Sequence, residues 1–220
     1  MTRHFLHHEH IVIIGNEGAG KGTQIKMLQR RFRLPVISVG SMLRDEIRRQ
    51  TQMGKRLRPY VDSGRLAPNA FVNQLIETKL KRYRNKGFIL DGYPRDPEQI
   101  GFLLSLTNID IVLGLIISRE EIRRRILYRR VCEKGHIYHL KFFPPRKRGV
   151  CDVDGLPLIR RKDSTETAIR HREIVFHTYT SRVIRAFQNF GIYVEVDGHG
   201  TPEQVHARVV KALEGFKRCP

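Results

Sequence analysis

Lys21 and the glycines around it are the residues whose types and spacing point most directly to chemistry. Over 11–23 the chain reads IVIIGNEGAGKGT. Four β-branched residues predict a short buried strand, and apolar residues at Ile25 and Leu28 predict a helix after the loop. Gly15, Gly18, Gly20 and Gly22 let the backbone between them turn its N–H groups inward. A strand, a glycine loop and a helix in that order form a phosphate cradle. The amides and the positive end of the new helix attract the anion, and Lys21 reaches the outer phosphates of a nucleotide. Thr23 carries the hydroxyl one position later than the general pattern, because Gly22 intervenes.

A second strand-to-loop switch follows at 87–95, GFILDGYPR. Asp91 falls at the strand's end, where an acid can hold waters of Mg²⁺ beside phosphates; the other reading is a turn or cap aspartate. Arg95 can fork onto a pair of phosphate oxygens. Arg125 and Arg129 are four apart, so a continuing helix would place both on one face.

The elements that must position these residues are legible as an alternation. Strand-like runs recur at 11–14, 35–39, 87–90, 111–117 and 192–196, with helical patterns between them. That alternation predicts an α/β fold with a parallel sheet, helices on both faces and ligands at the strand C-termini. Two stretches interrupt it: 41–80 is helical throughout, and 131–162 holds turns, aromatics and Pro144-Pro145. Both are expected as insertions at the ligand end, where a lid belongs.

Composition bounds the rest. The 220 residues suffice for one sizeable core, and no apolar run has the length of a membrane span. The start, MTRHFLHHEH, has neither a signal-peptide apolar core nor a transit pattern, so a cytoplasmic protein is expected. Its His4, His7, His8 and His10 are expected in an exposed, frayed terminus. Cys132, Cys151 and Cys219 are too few for a disulfide framework. The net charge of +19 admits nucleic acid, an anionic surface or polyanionic small substrates as partners. The basic residues are dispersed and form no tail, so a solvated basic surface is expected and nucleic acid is not.

Taken together, the motifs resemble those of the adenylate kinases, in their long-lid form. GxxGxGKGTQ stands at 15–24, ISVGSMLR at 37–44, GFILDGYPR at 87–95 with Gln99 beyond it, and RRVC leading to Tyr138-His139 and Pro144-Pro145 at 129–145. Arg161-Lys162-Asp163-Ser164 leads on to Arg172, and Val196-Asp197-Gly198 closes the series. The matches run in order along nearly the whole chain.

The resemblance implies a P-loop NTPase-type five-stranded parallel sheet. Its core would comprise 1–37, 68–127 and 165–220, with a helical monophosphate-binding insertion at 38–67 and a small lid at 128–164. It implies reversible transfer between ATP·Mg²⁺ and AMP to give two ADP, by a monomer whose arms close over the ligands. Lys21, Arg95, Arg129, Arg161, Asp163 and Arg172 would be catalytic. Gly15, Gly18, Ala19, Gly20, Gly22, Thr23, Arg125, Tyr138 and His139 would join Lys21 and Arg129 on ATP. Val39, Arg44, Gly92, Arg95, Gln99, Arg161 and Arg172 would hold AMP, Gln99 reading the adenine edge. Asp91 would hold Mg²⁺ through water.

Some long-lid members hold Zn²⁺ with two Cys-x2-Cys pairs, or with one such pair and Cys-x2-Asp. Here Cys132 matches the first ligand, Cys151 and Asp154 match the last two, and the second cysteine is missing. His136 is a competent substitute for a structural zinc. A metal-free, hydrogen-bonded lid is the other reading, slightly favoured by the missing ligand.

Three positions depart from the family pattern. Asn16-Glu17 stands where proline is usual, and Glu17 would bring negative charge to a polyanion unless it points outward. Val39 and Ser41 replace the usual Thr and Asp of the monophosphate subsite. The alternatives are a UMP/CMP-type kinase, against which the long lid and Gln99 count, or a basic nucleotide-binding protein with weakened catalysis.

Overall fold

The structure, a computed structural model, describes residues 9–83, 86–160 and 165–216. Its central strands are the apolar runs of the sequence: β1 (His10–Gly15), β2 (Val36–Ser38), β3 (Phe88–Asp91), β4 (Ile111–Ile116) and, after a short hairpin, β7 (Tyr193–Asp197). They form one parallel sheet in the order β2-β3-β1-β4-β7. The first strand occupies the middle, with Val12 opposite both Leu90 and Val112, so it must be apolar on both sides.

Alternate residues of each strand feed two separate cores. Ile11, Ile13, Ile89, Leu113 and Leu115 face one layer, where α1 (Lys21–Phe32), α6 (Arg119–Tyr128) and α9 (Pro202–Gly215) cover them with Leu28, Ile122 and Val209. Val12, Leu90 and Val112 face the other layer. There α4 (Asn69–Leu80), α5 (Pro97–Leu106) and α8 (Ser181–Asn189) contribute Ile76, Leu103 and Phe187. Each such side chain contributes about 1.5–3 kcal/mol through burial. All connections between these strands are crossovers, so every strand C-terminus opens at the same end.

The 41–80 stretch is helical as expected, as α2 (Val39–Arg48), α3 (Gln52–Ser63) and α4. The run predicted over 35–39 ends one residue earlier, because Val39 opens α2 after an extended Ser38. The second insertion holds the antiparallel pair β5 (Arg129–Val131) and β6 (Ile137–His139) with isolated bridges such as Val131–Ile159. After it, α7 (Glu166–Val175) runs into α8 through a π-helical segment, Phe176–Thr180.

His10 departs from the frayed terminus expected for it. It opens β1, stacks on Phe88 at 4.2 Å and donates its backbone amide to the Asp110 carboxylate at 2.6 Å. His4, His7, His8 and Cys219 lie outside the described residues. Among the described residues no helix is long and apolar enough to cross a membrane.

Candidate active site

The cradle forms where β1 runs out. A side chain at Gly15 would bring its Cβ within 2.5 Å of the Leu115 carbonyl on the neighbouring strand, so only glycine lets the chain leave the sheet there. Gly20 precedes α1 in the left-handed region at φ 96° and supplies no capping side chain. The first two amides of α1, those of Lys21 and Gly22, are thus left for another acceptor. The Lys21 ammonium folds back over the loop and donates to the carbonyls of Gly15 at 2.7 Å and Asn16 at 2.9 Å. Burial lowers its pKa to about 8, opposed by the carboxylates of Asp91 and Glu17 and reinforced by Arg95 and Arg129. All four charged groups thus act on the ammonium. Gly18, Ala19, Gly22 and Thr23 lie in the same turn, where the Thr23 amide bonds the Gly20 carbonyl at 3.0 Å.

Asp91 is the last residue of β3, beside the cradle. It accepts from the Ser38 hydroxyl at 2.9 Å. Ser41 donates to Ser38 at 3.3 Å, and Arg44 to Ser41 at 3.4 Å, so a polar chain runs from the first insertion to the acid. Val39 points elsewhere: it is buried in the apolar layer with Leu57 and Tyr93. Arg95 lies over Gly92, donating from Nε to that carbonyl at 3.0 Å, and Thr180 donates to the Arg95 carbonyl at 3.4 Å. Gln99 is buried, with Oε1 accepting from the Arg95 amide at 2.8 Å and Nε2 donating to Asn69 at 2.7 Å. One amide hydrogen and one oxygen lone pair of Gln99 are left for a base edge.

The arginines of the second half divide into two groups. The expectation that one helix carries Arg125 and Arg129 on a common face is corrected. α6 ends at Tyr128, and Arg129 is already extended at φ −73°, ψ 135°. Arg125 braces the back of the loop, donating to Glu121 at 2.8 Å, to the Gly198 carbonyl at 2.9 Å and to Ala19 at 3.3 Å. Its guanidinium also lies 5.7 Å from the Phe142 ring. Arg129 turns instead toward the cradle and meets Arg172 of α7 at Glu17, whose two carboxylate oxygens each take one guanidinium. So Glu17 points inward, a placement that its unusual charge alone could have signalled. Arg161 and Asp163 lie outside the described residues.

The hairpin insertion gathers a different set. Ligand atoms of Cys132, His136, Cys151 and Asp154 all lie within 4.8 Å of one another. Cys132 Sγ is 3.3 Å from His136 Nδ1 and 3.2 Å from Asp154 Oδ2, and the His136 amide donates to the same sulfur at 3.3 Å. Zinc bonds of about 2.0–2.3 Å in a tetrahedron separate neighbouring ligands by roughly 3.5 Å, so this donor set and spacing fit Zn²⁺. Burial raises the Cys132 thiol, and hydrogen bonds, that of Cys151 foremost, hold Asp154 well below the usual carboxylate range.

Tyr138, expected on ATP, turns into this cluster: its hydroxyl lies 3.4 Å from Cys151 Sγ and accepts the Asp152 amide at 2.7 Å. His139 faces the other way and stacks on Phe142 at 4.7 Å. Its Nδ1 accepts two backbone amides, at 3.1 and 3.3 Å, which leaves the proton on a buried Nε2.

A family model described as adenylate kinase matches residues 13–192. The adenylate kinase of Pyrococcus horikoshii is 38% identical over 213 residues, covering 93% of this chain and 95% of its own length. Those of Methanococcoides burtonii and Acholeplasma laidlawii are 36% and 37% identical, over 94% and 93% of this chain and 99% and 97% of their own. With a five-stranded parallel sheet, a glycine cradle and arginines meeting above it, the chain belongs to the adenylate kinase family and is a nucleoside monophosphate kinase, a phosphotransferase.

Proposed function

We propose that this enzyme transfers the terminal phosphoryl group of ATP to AMP, reversibly, giving two ADP. The observation that carries the reading is the meeting of cationic groups from separate segments at one loop. Lys21 from the cradle, Arg129 from the end of α6 and Arg172 from α7 converge there, with Arg95 close enough to depress Lys21. Phosphoryl transfer asks little covalent chemistry of a protein, so catalysis reduces to aligning two nucleotides and neutralising charge. Lys21 and the first amides of α1 would hold the donor's outer phosphates. Arg44 and Arg95 would hold the acceptor's phosphate, and Gln99 would present its remaining donor and acceptor to adenine. Arg129 and Arg172, with Arg161, would flank the group in flight. His139 would stand beside the donor nucleotide.

Asp91 would hold Mg²⁺ through water, and the ion when bound supplies charge neutralisation at the phosphates. The insertions at 38–67 and 128–164 would close over the ligands and exclude water. The second would be held together by a structural Zn²⁺ on Cys132, His136, Cys151 and Asp154, as their fit to a tetrahedron supports.

The test is ADP formation from ATP·Mg²⁺ with AMP, UMP, CMP and GMP, beside an Arg95→Ala control. Turnover with AMP alone, lost in the control, is the expected result; preference for another monophosphate would overturn the acceptor. Elemental analysis of the purified chain should find one zinc, absent from Cys151→Ala.

A further inference from the structure

Glu17 is an acid inside a loop built to bind anions. Its carboxylate takes Arg129 on one oxygen and Arg172 on the other, the second at 2.5 Å, and all three side chains are 14–15% exposed. The two arginines come from positions 112 and 155 residues further along the chain, so this one side chain joins the cradle to both later segments. It also supports the charge on Lys21. A carboxylate and a phosphate offer guanidinium forks the same kind of paired oxygens.

We propose that Glu17 is a resident anion, holding Arg129 and Arg172 at the cradle between turnovers and releasing them to the phosphates of the incoming nucleotide. The inference rests on the phosphoryl-transfer reading of the same site. Guanidiniums held together out of water repel one another unless an anion lies between them. Glu17 is that anion, and its stabilisation is lost when phosphate takes its place. The residue therefore has two coupled effects. It makes the free enzyme more stable, and it weakens polyphosphate binding by the same interaction. Glu17 is a positioning residue that sets donor affinity, and it takes no part in bond making.

The experiment compares Glu17→Gln and Glu17→Asp with the wild-type chain. Thermal denaturation and the Kd of inorganic tripolyphosphate are measured together with kcat and KM for ATP. In Glu17→Gln the unliganded Tm should fall, tripolyphosphate should bind about tenfold more tightly, and the Tm deficit should close at saturating tripolyphosphate. KM for ATP should fall by a similar factor. Glu17→Asp keeps the charge and should bind no more tightly than wild type. A Tm deficit that persists at saturation, with binding unchanged or weaker in Glu17→Gln, would reduce Glu17 to a structural brace and overturn the proposal. Equal tightening in both variants would also overturn it, since the charge would then not be the cause. A wild-type chain that forms no ADP with any monophosphate, but whose Glu17→Gln variant tightens on tripolyphosphate, would refute the transfer reaction and leave the anion exchange standing.

Discussion

Around the cradle, Lys21, Glu17, Arg129 and Arg172 are backed by a five-stranded sheet with a packed layer on each face. Among the described residues around Cys132, His136, Cys151 and Asp154 there is almost nothing of the kind. The hairpin insertion buries Cys132, Tyr138 and Cys151, with Leu156 and Leu158 half-covered against them. The cradle's polar groups can be arranged for ligands because hydrophobic burial elsewhere maintains the fold. In the insertion the polar cluster must itself be the core, since so few apolar side chains cannot offset the entropy of ordering the segment. Charge that awaits a substrate should therefore be removable without unfolding, whereas the charge that organises the insertion should not.

The largest expected effect tests the first half of that contrast. Arg172→Ala should lower kcat/KM by about 10²–10³, by analogy with removing one preorganised donor, while Tm stays within a few degrees of wild type. A collapse of Tm in step with activity would make the cradle a structural element like the insertion. Next comes Cys151→Ala, read by limited proteolysis between 132 and 158. Cleavage there should accelerate about a hundredfold, an opening free energy lower by about 3 kcal/mol, and a chelator should reproduce this in the wild-type chain.

A smaller effect separates packing from recognition within the first insertion. Val39 is 4% exposed in an apolar layer, so Val39→Thr should cost about 1–3 kcal/mol of stability and leave KM for AMP unchanged. A lower KM would return this residue to the monophosphate subsite. The smallest effect is a proton. The Lys21 pKa is lowered to about 8, and bound phosphate should raise it again. ATP binding should take up a fraction of a proton at pH 8–9 and none from Lys21 at pH 6.5, measurable by calorimetry in buffers of different ionisation enthalpy.

What the sequence made legible follows from where the determinants lie. The five strands were readable because each is a short apolar-rich run, and the central three, β1, β3 and β4, are buried on both faces. The cradle was readable because its glycines answer local backbone demands. Cys132, Cys151 and Asp154 were readable through the resemblance to zinc-holding lids, and His136 because imidazole is a competent ligand in place of the missing cysteine. Arg129 was not, since spacing of four is the same whether or not the helix continues, and α6 stops at Tyr128. Nor was the direction of Tyr138: in a strand of three residues one shift of register exchanges the two faces. The partners of Glu17 lie too far along the chain for any local pattern to announce them.

The π-helical turn at Phe176–Thr180 has a consequence for how the chain tolerates change. Relative to an unbroken α-helix it accommodates about one extra residue, which rotates α8 against α7 by roughly 100° about their common axis. That rotation is what lets Arg172 address the cradle while Val183 and Phe187 address the sheet. Deleting one residue of the segment would leave a regular helix with better hydrogen bonds, yet one face or the other would be out of phase. A length change here is thus a change of aim, and the α7–α8 rod should accept substitutions far more readily than a single-residue deletion.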